Sequence, residues 1–220
     1  MISYNASVDL VIFDFDGTLV DTAPDLIRAT NLYLESQGFE PLPDKKIRDE
    51  IGLGLKKLIT EVYPSQESNA ELHRQIESDF LAIYEREFLT SPQLYPGAME
   101  FLVEWEGQVA IVSNKRQRFI QPILKKLDLA DFPWVAVVGG DSYPNMKPHP
   151  EPFLAAINAA GASPESTIVV GDGYPDVQGA VALGSRCVAV EFGYTDADQL
   201  MDQGAWKKIA GFDELLPLLR

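Results

Sequence analysis

Two aspartates spaced two residues apart, Asp14 and Asp16, directly follow an apolar run at residues 8–13. On an extended chain, residues i and i+2 point to the same side, so both carboxylates can face one site. Gly17 lets the chain turn sharply and approach a ligand closely. Paired carboxylates at a strand end suit Mg²⁺, which takes hard oxygen ligands. A plain turn after a strand, rich in Asp and Gly, fits the same residues equally well.

Four further apolar runs also lead into short polar or glycine-containing stretches, at residues 109–112, 134–138, 167–170 and 187–190. Runs that are apolar on both faces favour a parallel sheet covered by helices. Ligands of such sheets bind beyond the carboxyl ends of the strands. This arrangement predicts that Asp14, Ser113, Asp141 and Asp172 meet at one edge of the sheet.

The segments between these runs carry helical patterns. Helices are predicted around residues 120–127, 153–157 and 177–181, which gives an alternation of strand and helix. About 90 residues separate the first two strands, and helical stripes fill that interval. One stripe is at Leu55, Leu58, Ile59 and Val62, and a second at Leu72, Ile76, Phe80 and Ile83. We therefore predict an α/β protein: a doubly wound, Rossmann-like parallel core (residues 1–21 and 92–220) with a small α-helical cap (22–91) inserted after the first strand.

Composition narrows the class of protein. The chain has 33 acidic and 18 basic residues and a formal net charge of −15, which argues against nucleic acid or an anionic membrane as a partner. The single cysteine, Cys187, lies in an apolar run and is interpreted as a buried hydrophobe, which fits a reducing compartment. No stretch resembles a signal peptide or a membrane span. We expect a cytoplasmic, soluble protein that is a monomer or homodimer.

The motifs together resemble those of the haloacid dehalogenase-like superfamily. Its four motifs correspond in order to residues 14–22, Ser113-Asn114, Lys147-Pro148, and Gly171-Asp172 with Asp176. The predicted insert lies where such proteins carry a cap, and the resemblance covers nearly the whole chain. Segments 20–26, 51–55, 113–115, 139–141 and 147–150 are similar to the phosphoglycolate phosphatase branch. One departure is Gly173, where the fourth motif often has Ser.

The resemblance implies a Mg²⁺-dependent phosphatase that acts on a small phosphate ester through an aspartyl-phosphate. Asp14 would be the nucleophile and Asp16 the general acid and base. The phosphoryl group would be bound by Ser113, the Asn114 backbone N–H and Lys147. The implied metal ligands are Asp14, Asp16 through its backbone carbonyl, and Asp172, with Asp176 orienting the metal's waters or Lys147. Asp176 could equally be a carboxylate favoured by a helix N-terminus.

The substrate is predicted by resemblance alone to be 2-phosphoglycolate. Lys115, which directly follows the second motif, is the candidate for a substrate carboxylate, ahead of Arg116, Lys56 and Lys57. A phosphatase for another small metabolite, a phosphomutase and a non-catalytic binding protein of the same fold remain alternatives. A dehalogenase is disfavoured, because that chemistry does not need an acid/base at Asp16.

Overall fold

The computed structural model describes residues 8–51 and 70–220. Six of its strands form one sheet in the order β5-β4-β1-β6-β7-β8, and every neighbouring pair is parallel. Two short strands, β2 and β3, pair antiparallel outside it. The strands are β1 Leu10–Phe13, β2 Val20–Asp21, β3 Gln93–Leu94, β4 Gln108–Val112, β5 Ala136–Val138, β6 Thr167–Gly171, β7 Arg186–Val190 and β8 Lys207–Ile209.

Helices cover both faces of the sheet. Within the described residues they are α1 Ala23–Ser36, α2 Asp44–Ile51, α3 Ala70–Glu87, α4 Ala98–Glu104, α5 Gln117–Lys126, α6 Glu151–Ala160, α7 Tyr174–Leu183, α8 Ala197–Asp202 and α9 Leu215–Leu219. Alternate side chains of the central strand β1 enter different cores: Val11 and Phe13 pack with α4, α5 and α9, whereas Leu10 and Ile12 pack with α6, α7 and α8. The strand is buried on both faces, as its continuous apolar run predicts.

The predicted α/β class is therefore confirmed, and the five predicted strands are all present with ends shifted by one or two residues. The edge strand β8 was not predicted. Its Lys207 and Lys208 are exposed and only Ile209 is buried, a composition common at sheet edges and poor in apolar signal. Helix α4 was also missed, because seven residues give a short helical pattern.

The ends of the predicted helical insert are joined by the β2–β3 pair, in which Val20 lies opposite Leu94 and Asp21 opposite Gln93. Between them, α3 packs along α1 through one buried stripe. Of the predicted stripe, Ile76 and Phe80 are fully buried, and the stripe continues through Tyr84 and Phe88. Leu72 and Ile83 are only partly buried. The stripe predicted at residues 55–62 lies outside the described residues.

Candidate active site

The carboxyl ends of the parallel strands surround a cavity of about 350 Å³. Asp14 follows β1, Ser113 follows β4, and Lys147 lies in the connection between β5 and α6. Helix α3 closes the opposite side with Phe80 and Tyr84. The convergence predicted from the strand ends is thus present, and residues from the core and from the helical segment line the same space.

Four side chains form what we call the core cluster: Asp14, Lys147, Asp172 and Asp176. The Nζ atom of Lys147 lies 2.8 Å from Asp14 Oδ1 and 2.7 Å from Asp176 Oδ1. Carboxylate oxygens of the three aspartates lie within 4.8 Å of one another. All but Asp14 are almost completely buried. Three carboxylates around one ammonium leave an excess of negative charge in a poorly solvated place.

Asp172 is fixed by its surroundings. Its Oδ1 accepts a hydrogen bond from the Thr18 hydroxyl (2.9 Å) and its Oδ2 one from the Tyr194 backbone N–H (2.8 Å). Two glycines leave room for it: a Cβ on Gly17 would lie 2.3 Å from Asp172 Oδ2, and one on Gly193 would lie 2.1 Å from Asp172 Cβ. Gly17 also has φ +77°, a conformation that side chains disfavour.

Asp176 lies in the first turn of helix α7 and makes both of the interactions considered from the sequence. Its Oδ2 accepts a hydrogen bond from the Gly173 backbone N–H (3.1 Å), while its Oδ1 meets Lys147. It therefore caps a helix N-terminus and also holds the lysine. Gly173 contributes its backbone to this contact, so the contact does not require the serine often found there.

Burial dominates the electrostatics of the core cluster. It raises the pKa of Asp172 well above its usual range, and the nearby Asp14 raises it further. The pKa of Asp176 rises to about 7 for the same two reasons, although Lys147 opposes the rise. Burial alone would lower the pKa of Lys147, but the charges of Asp14 and Asp176 more than offset it and raise that pKa. A second cation would stabilise the charged form of these buried carboxylates.

A divalent metal fits this donor set. Carboxylates that are buried, close together and only partly neutralised by one lysine supply the hard oxygens that Mg²⁺ prefers. Asp14 and Asp172, both predicted as ligands, belong to this group, and Asp176 is the third member. The Asp16 side chain faces elsewhere.

Asp16 belongs to a second group, the boundary cluster, formed with Thr22, Lys115 and Tyr84. Lys115 Nζ lies 3.0 Å from Asp16 Oδ1 and 3.2 Å from Oδ2, and 2.7 Å from the Tyr84 hydroxyl. The Thr22 hydroxyl donates a short hydrogen bond to Asp16 Oδ1. Burial lowers the pKa of Lys115, but Asp16 and Tyr84 together, through charge and hydrogen bonds, offset it and leave that pKa raised. This cluster joins the core to helix α3.

The loop after β4 is tied into the site by its own contacts. The Ser113 Oγ accepts a hydrogen bond from the Lys115 backbone N–H (3.2 Å), and Asn114 Nδ2 donates to the Lys147 carbonyl (3.1 Å). Asp141 accepts from the backbone N–H of Gln117 (2.7 Å) and so caps α5. Ser113 and Asn114 both line the cavity, as predicted, while Asp141 stands at its rim.

Three site residues were not assigned a role from the sequence. Thr18 and Thr22 lie inside the first motif, so their positions were known but their partners were not. For Tyr84 the sequence does contain a signal: it follows Phe80 by four residues and so lies on the same face of the helix. Its contact with Lys115 joins residues 31 positions apart.

Comparison with known proteins places this site in a family. The pattern of the haloacid dehalogenase-like hydrolases matches residues 11–190. The chain is 32% identical over 217 residues to a phosphoglycolate phosphatase of Nitrosococcus oceani, and the match covers 96% of each chain. It is 33% identical to phosphoglycolate phosphatase 1 of Pseudomonas aeruginosa, with 94% of this chain and 78% of the relative covered.

Solved structures agree. A crystal structure of a predicted phosphoglycolate phosphatase from Haemophilus somnus superposes with a TM-score of 0.86 at 25% identity over the whole of both chains. A predicted phosphatase from Clostridium acetobutylicum shares the fold, with a TM-score of 0.84 at 21% identity, over 97% of this chain and 98% of the other. The chain belongs to the haloacid dehalogenase-like hydrolase family. It is a hydrolytic enzyme related to phosphoglycolate phosphatases.

Proposed function

We propose that this protein is a Mg²⁺-dependent phosphatase that hydrolyses a small phosphomonoester, best represented by 2-phosphoglycolate, through an aspartyl-phosphate. The observation that carries the proposal is the contact of Asp14 with Lys147 on the cavity wall (2.8 Å). The ammonium therefore lies directly beside the carboxylate that would attack phosphorus. Asp14 retains 14% of its side-chain exposure and so is open to a ligand.

The reaction proceeds in two displacements. An Asp14 carboxylate oxygen attacks phosphorus, the bond from phosphorus to the ester oxygen breaks, and Asp16 gives a proton to the departing alkoxide. Water then attacks phosphorus, Asp16 takes its proton, and the bond to Asp14 breaks to release phosphate. Asp14 is thereby regenerated. Both steps use the same pair of aspartates, which line one cavity.

The chain's own donors stabilise the transferring group. Lys147 supplies a buried positive charge beside Asp14, and Ser113 and the Asn114 backbone N–H are placed at the next strand end. The metal would be held by Asp14, Asp172 and the backbone carbonyl of Asp16, with Asp176 supporting Lys147. When bound, Mg²⁺ neutralises charge on the phosphoryl oxygens.

The choice of 2-phosphoglycolate is supported by the names of the relatives. A substrate carboxylate needs a cation, and Lys115 and Arg116 both line the cavity. In the structure Lys115 is paired with Asp16, and Arg116 with Glu77 of α3. Lys56 and Lys57, the other candidates, lie outside the described residues. Lys115 remains the predicted selectivity residue, and a phosphatase for another small ester remains the nearest alternative.

The decisive assay is kcat/KM for 2-phosphoglycolate against a panel of small phosphate esters, with Mg²⁺ and with a chelator. A strong, Mg²⁺-dependent preference for 2-phosphoglycolate would support class, metal and substrate together. Preference for a different ester would keep the mechanism and replace the substrate. Absence of turnover on every ester would favour the mutase or the non-catalytic alternative, and a bisphosphate requirement would identify the mutase.

The division into a core (1–21 and 92–220) and a helical cap (22–91) is part of the same proposal. The β2–β3 pair supports it, because it brings the two ends of the insert together. A cap would close over the substrate and exclude bulk water.

No helix in residues 8–51 or 70–220 has the length and apolar composition to cross a bilayer. The cytoplasmic location stays a prediction; Cys187 is buried and unpaired.

A further inference from the structure

Helix α3 is linked to Asp16 by two side chains: Tyr84 of the helix contacts Lys115, and Lys115 contacts Asp16. We propose that Tyr84 and Lys115 are positioning residues that hold the Asp16 carboxylate for proton transfer to the leaving group. The inference rests on the proposed phosphatase function, in which Asp16 is the acid and base. It assigns a role to Tyr84 and gives Lys115 a role distinct from binding a substrate carboxylate.

The first argument is that the three N–H donors of the Lys115 ammonium are matched by three acceptor atoms of the protein. A lysine has three N–H donors, and Lys115 Nζ has three acceptor atoms in reach: both oxygens of Asp16 and the Tyr84 hydroxyl. Its side chain is only 4% exposed, against 18% for Asp16. The ammonium therefore points at residues of the chain, while the carboxylate it holds faces the cavity.

The second argument is the rigidity of Tyr84. Its ring packs against Phe119 of α5 with centroids 5.0 Å apart, and against Phe80 and Phe88 of its own helical stripe at 6.0 and 5.8 Å. The Lys115 Nζ also lies 5.0 Å from the ring centroid of Tyr84. Burial raises the pKa of Tyr84 to about 12, so the phenol stays neutral and can accept from the ammonium. The hydroxyl is a fixed anchor for a flexible lysine.

The third argument concerns what a misplaced Asp16 would cost. An alkyl ester leaves as a strongly basic alkoxide and needs a proton, whereas p-nitrophenolate leaves without one. General acid catalysis contributes about 10²- to 10⁴-fold where it is needed. Because kcat/KM covers only the steps up to release of the alcohol, it isolates this proton transfer from the later attack of water. Loss of positioning must therefore lower kcat/KM for alkyl esters and spare p-nitrophenyl phosphate.

The test compares Tyr84→Phe and Lys115→Met with wild type on three esters: 2-phosphoglycolate, 2-hydroxyethyl phosphate and p-nitrophenyl phosphate. We expect kcat/KM on both alkyl esters to fall about 10-fold for Tyr84→Phe and about 100-fold for Lys115→Met. On p-nitrophenyl phosphate the change should stay within about 2-fold. Lys115→Met should also show a burst of p-nitrophenol, because Asp16 is still needed to activate water in the second step.

Tyr33→Phe is the matched control, because it removes a buried hydroxyl from a ring that packs on Phe80. This variant should leave the ratio of kcat/KM on alkyl esters to kcat/KM on the aryl ester unchanged. Equal losses on all three esters, or a ratio shift in Tyr33→Phe as large as in Tyr84→Phe, would overturn the positioning role. A loss confined to 2-phosphoglycolate would instead make Lys115 a carboxylate-binding residue. Wild type inactive on all three esters would overturn the proposed function and this inference with it.

Discussion

The two charged clusters around the cavity are built in different ways. The core cluster takes Asp14, Asp172 and Asp176 from the ends of adjacent strands β1 and β6 and from the first turn of α7, with Lys147 among them. The boundary cluster joins a strand-end residue, Asp16, to a tyrosine on a helix of the inserted segment. The core cluster is built from strand ends, a connection and a helix of the sheet-bearing part, whereas the boundary cluster also needs Tyr84 of α3.

This difference separates two kinds of defect. Under the proposed mechanism, a change in the core cluster would remove nucleophilic attack, charge neutralisation or metal binding, which every phosphate ester requires. A change in the boundary cluster would disturb proton transfer, which matters only for poor leaving groups. The comparison fails if substitutions in the two clusters give the same pattern across esters.

Among the changes that leave Asp14 in place, Lys147→Met is expected to have the largest effect. The change keeps side-chain volume but removes the buried charge beside Asp14, so kcat/KM should fall about 10³-fold on alkyl and aryl esters alike. Steady-state kinetics on 2-phosphoglycolate and p-nitrophenyl phosphate measures it. Lys126→Met, at an exposed position on α5, is the control and should retain wild-type rates. A loss limited to the alkyl ester would mean that the two clusters do not differ in the esters they affect.

A smaller effect is expected from Gly193→Ala. The new Cβ would collide with Asp172 and displace it from the other carboxylates. We expect the Mg²⁺ concentration for half-maximal activity to rise about 10- to 100-fold, with little change in rate at saturating metal. Gly161→Ala controls for a general loss of stability away from the site, since Gly161 has φ +64° and a methyl group added there would meet no atom within 4 Å. An unchanged metal requirement in Gly193→Ala would contradict the role of Asp172 as a ligand.

The smallest effect is one of stability. The raised pKa of Asp172 means that the folded protein binds its proton more tightly than the unfolded chain does. Its contribution to stability is therefore present at low pH and lost as the pH rises through the folded-state pKa. In metal-free protein, Asp172→Asn should raise the unfolding temperature by about 2–4 °C at pH 8. The gain should shrink as the pH is lowered towards the unfolded-state pKa. Thermal melts in chelator over a series of pH values would show this; a gain independent of pH would argue against titration of this cluster.

The same contrast explains what the sequence predicted. Of the core cluster, Asp14 and Asp172 were predicted to meet because they follow parallel strands, whose carboxyl ends share one edge of the sheet. Lys147 and Asp176 were singled out only through the resemblance to the family's motifs. The boundary cluster was predicted only in part. Asp16 and Lys115 were singled out, but the contact between Lys115 and Tyr84 depends on how α3 packs against α5. No local pattern encodes that packing, so the sequence indicated for Lys115 only the substrate-binding role, which stays a prediction.

The fold shows a similar division. Buried strands such as β1 and β6 consist of continuous apolar runs, so the ends of these strands were predicted to within two residues. The edge strand β8 has one buried side chain, Ile209, and depends on pairing with β7. The β2–β3 pair has two residues in each strand and exists only because distant segments meet.

The most direct test of the account is replacement of the proposed nucleophile, Asp14→Asn, with Asp202→Asn on the exposed end of α8 as control. The variant should retain its fold but lose Mg²⁺-dependent turnover by at least about 10⁴-fold on every ester, aryl esters included. Rapid acid quench of wild type during turnover should trap a phosphoryl group on Asp14, detected by peptide mass, and none in the variant. Turnover by Asp14→Asn at the wild-type rate, or a phosphoryl group trapped on another residue, would contradict the mechanism.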